Sequence, residues 1–401
     1  MPNKPTIAIV GGGPAAMMLG CTLNTQKFNV TVYEQNATLG RKFLVAGKGG
    51  FNLTHAEDIE AFTNRYTPPN FVAPFIQQFS NTNFTQWLNS LGITIYVGTS
   101  QRIFPTKKIK PIAVLNVIKN KLIANNVTIH YNHTWQGFNA TNELLFLTNG
   151  TNVSINAHYV AFALGGGSWQ VTGSNAIWHT YFTQQQIKVL PFVASNCGYI
   201  VNWNTDLLKL IEGTPIKNCE FRCGTTVRKG EAIITSHGVE GSGIYPLSGA
   251  IRAQLQHTGM AQVYLNFKPD LTIEQIEQRL TGGKSSMKDK LQKQLNLSPT
   301  QVALLKHITT KETYTNPANL SQLINAYPLT ITGTAPLNEA ISTVGGIALN
   351  ELTPHLELIK LPHHYCLGEM LNWDAPTGGY LLQASFSMGY SLGQYLNELK
   401  L

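Results

Sequence analysis

The chain has 401 residues and a formal net charge of +8, and it is 43% hydrophobic but only 12% charged. That composition allows substantial cores in one large or two to three ordinary domains, and it is not the densely basic make-up of a nucleic-acid-coating protein. No apolar run approaches the ~18 residues a membrane helix needs. The opening Met-Pro-Asn-Lys leads straight into a strand without the apolar block of a signal peptide, so a cytoplasmic location and no membrane partner are expected.

The first element, "TIAIV" (Thr6–Val10), is a continuous apolar run, as a parallel strand covered on both faces should be. Gly11, Gly12, Gly13, Pro14, Ala15 and Ala16 follow, and then the apolar stretch "AAMMLGCTLN" reads as a helix. In this G-x-G-x-x-A pattern Gly11 permits the tight turn and Gly13 lets a pyrophosphate approach the backbone. Ala16 and Gly20 let the helix lie close to the strand. A second strand, "NVTVYE", ends in Glu34, followed by Gln35, where a ribose hydroxyl requires an acceptor. Strand, glycines, helix, strand and terminal acid within 35 residues specify a dinucleotide site far better than glycines alone.

The next stretch, "ATLGRKFLVAGKGGFNLTH" (Ala37–His55), is a glycine-rich loop with Gly40, Arg41, Lys42 and Lys48. Cations belong beside a pyrophosphate, and backbone amides at Gly47, Gly49 and Gly50 can turn toward phosphate or ring edges. Asn52 and Leu53 close the loop.

This order of motifs is similar to the HI0933-like flavoproteins, a family of FAD-dependent oxidoreductases that includes the BaiN-type reductases. The usual loop of that family is close to S-G-G-G-R-C-N-x-T-N. Here Gly50-Phe51 stands in place of Arg-Cys, so no role of that pair carries over, and a divergent subgroup is implied. "QRIFPTK" resembles the family's G-R-x-F-P segment, and "YVAFALGGGSWQVTGS", with Ala163, Gly165 and Gly166, resembles its A-T-G-G-x-S. "ITSHGVEGSGIYPLS" resembles T-H-x-G-x-S-G. "GGIALNEL" and "YCLGEMLNWDAPTGGYLLQASFSMGY" resemble the C-terminal block, so the likeness spans both ends and the middle. It implies FAD as cofactor and an α/β fold: a discontinuous Rossmann-like FAD-binding domain with an inserted antiparallel β plus helical domain.

A second pair of glycines near the C-terminus then acquires a purpose. The fingerprint accounts for the pyrophosphate and adenosine, while the ring of a flavin needs its own anchor. Gly368 and Glu369 end a strand, and Glu369 is the candidate acceptor for the ribityl hydroxyls. After Asp374, Gly378 and Gly379 open a helix at Tyr380 and Leu381. The positive end of that helix is expected at the flavin N1–C2=O edge, where charge appears on reduction.

The expected cofactor domain is therefore residues 1–190 plus 338–401. Residues 191–268 alternate apolar and polar in short stretches ("EAIITS", "QVYLNF") and read as an inserted β domain. In 269–337, "TIEQIEQRL", "MKDKLQKQL" and "SPTQVALLKHI" read as consecutive amphipathic helices, the first and third behind Thr or Ser caps.

Five cysteines without a CxxC pair indicate neither a disulfide framework nor a metal site, and no redox cysteine follows the first βαβ. A second nicotinamide-binding βαβ is also missing, so NAD(P)H is a candidate only as a reductant that reaches the flavin directly. The expected activity is hydride exchange between flavin N5 and a small-molecule substrate. For catalysis the candidates are His237, on a glycine-flanked turn, as proton donor, and Arg102, as anchor for an anionic group. Two other readings stand beside this one: a basic FAD-containing RNA-associated protein, and a catalytically silent FAD-binding protein. Nucleic acid is the less expected partner, because the basic cluster "PTKKIKP" lacks aromatic or Arg interleaving.

Overall fold

The structure is a computed structural model that describes residues 4–45 and 50–400. The chain divides into two compact units, residues 1–193 with 342–401, and residues 194–341.

The first unit is built on a parallel five-stranded sheet in the order His364–Cys366, Tyr159–Phe162, Thr6–Val10, Asn29–Tyr33 and Thr128–His130. The first strand is central, so both of its faces are covered and Ile7 through Val10 are all buried. This is why it has no alternation of apolar and polar residues. The fingerprint helix, Pro14–Thr22, starts with proline at its first position, where the missing N–H costs nothing. Its Gly20 meets Leu122 so closely that a Cβ there would come within 2.6 Å of the leucine Cδ2. The long C-terminal helix, Tyr380–Glu398, lies against the fingerprint helix. A Cβ at Gly389 would stand 2.3 Å from the Ala15 carbonyl oxygen, and one at Gly393 would stand 2.7 Å from Thr22. Small residues let these two backbones touch.

Two small three-stranded antiparallel sheets also belong to this unit, beside a strand pair of Val189–Ser195 with Ser342–Ile347. One hairpin system spans Thr134–Phe138, Leu144–Thr148 and Thr151–Ile155. In the other, Arg102–Pro105 pairs with Thr54–His55 on one side and Ile95–Val97 on the other, which sets Arg102 opposite His55. The loop motif and the "QRIFP" motif thus meet in one sheet. Phe51, one of the two residues that depart from the family loop, is buried and packs edge-on to Phe43 at 5.0 Å.

The second unit holds a seven-stranded sheet whose strands pair antiparallel. It includes Tyr327–Ile331, which lies in the stretch read as helical and pairs with Ala261–Asn266. Helices Ile273–Leu280 and Pro299–Ile308 form behind capping boxes at Thr272 and Ser298. Their apolar residues join the sheet in one core, so residues 194–341 form a single unit rather than a β domain and a helical segment. "MKDKLQKQL" is not a continuous α-helix: a short turn at Met287–Asp289 runs into a π-helical turn at Lys290–Gln294. The wider turn buries Leu291 and Leu295 while the Lys290 ammonium donates to the Leu280 carbonyl at 2.7 Å.

Candidate functional site: two uncapped helix ends in one unit

Gly11 has φ +104°, and a side chain there would strike the Ala163 carbonyl oxygen at 2.5 Å. The turn is therefore possible only with glycine, as its place in the fingerprint suggests. At Gly13 the opposite holds: a Cβ would meet nothing within 4 Å, so the backbone faces open space. Gly13 is the N-cap of the fingerprint helix, and no side chain caps it. The N–H groups of Ala15 and Ala16 in its first turn have no intrahelical acceptor, and Pro14 contributes none. An open glycine before an uncapped helix end is what an anion such as pyrophosphate requires.

Glu34 follows the second strand and is 7% exposed. Its Oε2 accepts from the Gly12 amide at 2.8 Å, and its Oε1 accepts from the amide and side-chain nitrogen of Asn36 at 2.8 and 2.6 Å. A carboxylate has about four acceptor sites, so one on Oε2 remains. Burial pushes the Glu34 carboxyl above its ordinary value, and the bonds from Asn36 and Gly12 offset that only in part. Gln35 donates to the Gly173 carbonyl, and Arg41 donates to the Asn36 side chain at 2.6 Å. Gly40, with φ +64°, donates to the Gly12 carbonyl and lies against Leu115.

Lys42 reaches the other side of the glycine loop. Its ammonium pairs with Glu369 at 2.9 Å and donates to the Ser168 hydroxyl at 2.7 Å. Glu369 also accepts from the Thr343 amide, and its carboxylate packs so close to Gly166 that a Cβ there would come within 2.8 Å. Gly165 and Gly368 both adopt positive φ. Three motifs that are distant in sequence converge here: "GRK", "LGGGS" and "CLGEM".

Gly378 and Gly379 have φ of +126° and +102°. A Cβ at Gly379 would stand 2.5 Å from the Thr54 backbone, so the helix end is wedged against the strand that ends the glycine loop. No side chain caps the C-terminal helix at Gly379, and its first turn at Tyr380 and Leu381 is uncapped. The Arg102 Nε lies 3.5 Å from where a Gly378 Cβ would be. Among the described residues the Arg102 guanidinium has no hydrogen-bond or ion-pair partner, while its backbone is paired in the sheet and its carbonyl accepts from the Gly98 amide. Beside this helix end, the Thr54 hydroxyl is fully buried without a partner. Asp374 is buried, its backbone bridges Thr67, and its carboxylate accepts from the Ala375 amide at 2.9 Å.

The two uncapped helices run in the same direction, because Gly389 lies beside Ala15 and Leu19 while Gly393 lies beside Thr22. By that register the C-terminal helix starts about six residues, roughly 9 Å, ahead of the fingerprint helix. A group with one permanently charged part and one that becomes charged further along fits this offset.

Leu53 is fully buried, with its amide committed to the Ile103 carbonyl, and Asn52 folds back on Gly50. Lys48 and Gly49 lie outside the described residues. His237 is in the second unit, in the exposed turn between Thr226–Thr235 and Gly238–Glu240. Its carbonyl accepts from the Val201 amide. Its imidazole has no hydrogen-bond partner among the described residues. No group of three His, Cys, Asp or Glu side chains among the described residues converges as a metal would require. All five cysteines are free thiols. No helix among the described residues is long and apolar enough to cross a membrane.

Sequence reasoning missed Glu57, Arg65 and Tyr66. Their side chains surround Tyr380 at the start of the C-terminal helix. No motif marks them, and only the fold brings them there.

Fold and site together define a class: the Rossmann-like FAD-binding fold of the flavin-dependent oxidoreductases, with a discontinuous cofactor unit. The chain belongs to the HI0933-like family, whose Rossmann-domain model matches residues 5–395. It is 22% identical over 401 residues to the ribosomal RNA dihydrouridine synthase of Escherichia coli K12, covering 98% of both chains. It is 23% identical over 419 residues to the 3-dehydro-bile acid delta(4,6)-reductase of Clostridium scindens, covering 98% of this chain and 99% of that protein. Among solved structures it resembles the open conformation of a flavocytochrome c3 fumarate reductase, with a TM-score of 0.53 and 11% identity. The likeness covers 99% of this chain and 78% of that one.

Proposed function

We propose that this chain binds FAD non-covalently and acts as a reductase of carbon–carbon double bonds conjugated to a carbonyl, with NAD(P)H as direct reductant. The observation that carries the reading is the pair of co-directional helices in one unit that both open behind a glycine N-cap with no capping side chain, together with the buried acceptor Glu34. The residues fit the cofactor. Gly11, Gly13, Ala15 and Ala16 would take the pyrophosphate, and Glu34 the adenosine ribose. Glu369, held by Lys42, would take ribityl hydroxyls, and Gly378–Leu381 would take the pyrimidine edge of the ring. When bound, FAD would supply hydride transfer at N5.

The chain's own groups then act by electrostatics and positioning. The positive end of the C-terminal helix favours negative charge nearby by about 0.3–1 kcal/mol, more when partly buried. Arg102, half-buried and without a partner among the described residues, is proposed to anchor an anionic or carbonyl group of the substrate. His237 is proposed as proton donor with less support, since nothing in its turn orients the ring. Double-bond chemistry is favoured because the names of the two relatives, a dihydrouridine synthase and a delta(4,6)-reductase, share saturation of such a bond.

A second reading takes RNA as the substrate. The E. coli relative's name favours it, and the net charge of +8 is compatible with it. One experiment addresses both readings. The protein is purified, checked for yellow colour and for FAD released by acid, and reduced anaerobically with NADH or NADPH. The reduced form is then mixed with a conjugated enone steroid, free uridine, or a uridine-containing ribosomal RNA fragment. Reoxidation by a small enone supports the first reading, and reoxidation by the RNA fragment alone supports the second. A colourless protein that takes up no added FAD would sink both.

A further inference from the structure

A carboxylate close to a helix N-terminus normally caps it. Glu57 does not. Its Oε1 accepts from the Tyr380 hydroxyl at 2.6 Å and from the Arg65 Nε at 3.1 Å, and its Oε2 accepts from the Arg65 Nη2 at 2.7 Å. The acid bonds to a side chain of the first helical residue, and no side chain caps the helix N–H groups. Tyr380 is held elsewhere as well. Its carbonyl accepts from the hydroxyl of the buried Tyr66 at 2.9 Å. Its ring lies between His55, stacked at 5.3 Å, and Phe62 at 4.9 Å.

The partners are themselves fixed. Asn81 donates to the carbonyls of both His55 and Glu57, at 2.8 and 2.9 Å, and the Glu57 amide donates to His55 Nδ1 at 3.2 Å. So dense a grip answers a local weakness. Gly378 and Gly379, which lead into the helix, have no side chains, and each adopts a positive φ. Neither residue has a side chain to hold the helix end, so apart from the close backbone packing of Gly379 on Thr54 its position is set from Tyr380 onward.

We propose that Glu57, acting through Tyr380 and Arg65, is a positioning residue that fixes the first turn of the C-terminal helix and thereby sets the field that a flavin ring meets there. The inference rests on the cofactor reading above. Arg65 neutralises the carboxylate, so the clamp adds little net charge to the site. It contributes geometry: three first-turn N–H groups held in one place.

Tyr380→Phe tests this, because it removes the hydroxyl and leaves Glu57 paired with Arg65. Two quantities are measured: amide hydrogen exchange at residues 383–386, whose N–H groups bond to the carbonyls at the start of the helix, in the apoprotein, and the reduction potential of bound FAD by equilibration with a reference dye. Exchange should accelerate about 10- to 150-fold, the factor that one hydrogen bond to a charged group carries. The potential should become more negative. Glu57→Gln should accelerate the same amides, yet it removes a negative charge, so its potential should lie above that of Tyr380→Phe.

A Tyr380→Phe protein with wild-type exchange and wild-type potential overturns the clamp. A potential that moves only in Glu57→Gln, with exchange unchanged in both variants, makes Glu57 a through-space charge and also overturns it. Should neither variant fold, the network is core structure and the proposal falls. If the wild-type protein takes up no FAD, the cofactor reading fails, while apoprotein exchange still decides the clamp.

Discussion

Replacing Glu34 tests the nucleotide half of the site, and the structure makes the outcome calculable. The carboxylate holds the Gly12 amide and both nitrogens of Asn36, leaving one acceptor position for a ribose hydroxyl. Glu34→Ala removes that acceptor, so FAD should bind more weakly by about 1–3 kcal/mol, or roughly 5- to 150-fold in Kd. The same change leaves the Gly12 N–H buried without a partner, at about 1–3 kcal/mol to the apoprotein. For a unit of this size that lowers Tm by roughly 2–12 °C. Glu34→Gln keeps the shape and one acceptor, so it should cost less stability yet still lose affinity.

The pH dependence has a definite sign. Burial holds the Glu34 carboxyl above its ordinary value of 4.5 in the folded protein. The folded apoprotein therefore binds this proton more tightly than the unfolded chain, and the residue's contribution to stability declines as pH rises through that window. A ribose hydroxyl donates best to the ionised form, so FAD affinity should fall as pH drops through the raised folded value. Equilibrium titration of apoprotein with FAD between pH 4.5 and 8, for wild type and both variants, measures the affinity, and thermal denaturation of the apoproteins over the same range measures the stability. An undiminished affinity in Glu34→Ala, or a wild-type affinity flat across that range, would reduce Glu34 to a brace for the glycine turn.

Other outcomes follow from single contacts. Gly389→Ala puts a methyl 2.3 Å from the Ala15 carbonyl, so the two helices must part, and chemical denaturation should show a loss of at least about 1–3 kcal/mol. Lys42→Met breaks a largely buried ion pair with Glu369. Its loss should therefore cost more than the ~1 kcal/mol of an exposed pair, and a large fall in FAD affinity would place Lys42, or the Glu369 it holds, at the cofactor. Burial alone would raise the Glu57 carboxyl, but hydrogen bonds from Arg65 and Tyr380 outweigh it and hold the group below its ordinary 4.5. Its stabilisation should be complete above that value and be lost as pH falls through the lower folded one, so wild type should lose more Tm on acidification than Glu57→Gln. His237→Ala should leave stability within about 0.5 kcal/mol, because the ring is exposed and unpaired among the described residues. A ~10²–10⁴-fold fall in substrate-driven reoxidation then supports its role as proton donor, and an unchanged rate removes it.

The parts of this protein legible in sequence are those whose physics is local. A tight turn needing glycine at Gly11, an apolar run for a strand buried on both faces, and an acid at the end of the next strand all sit within 35 residues, so spacing alone identifies them. The capping boxes at Thr272 and Ser298 are equally local. Gly378-Gly379 announced a second uncapped helix end for the same reason. What needed the tertiary structure was every interaction between distant segments. Lys42 and Glu369 pair across 327 residues, Tyr380 and Glu57 across 323, and Arg102 faces His55 only because two short strands pair. Charge pairs and short strand pairings leave no periodicity to read. Tyr327–Ile331 was hidden among helices because a five-residue strand is specified by the partner it pairs with. The π-helical turn at Lys290 depends likewise on a carbonyl ten residues away. The sequence by itself determined that a helix near each end of the chain opens behind glycines rather than a capping side chain. Only the tertiary structure decided that they point the same way, offset along one line, because helix direction and offset are set by the close packing of Gly389 and Gly393 on the fingerprint helix.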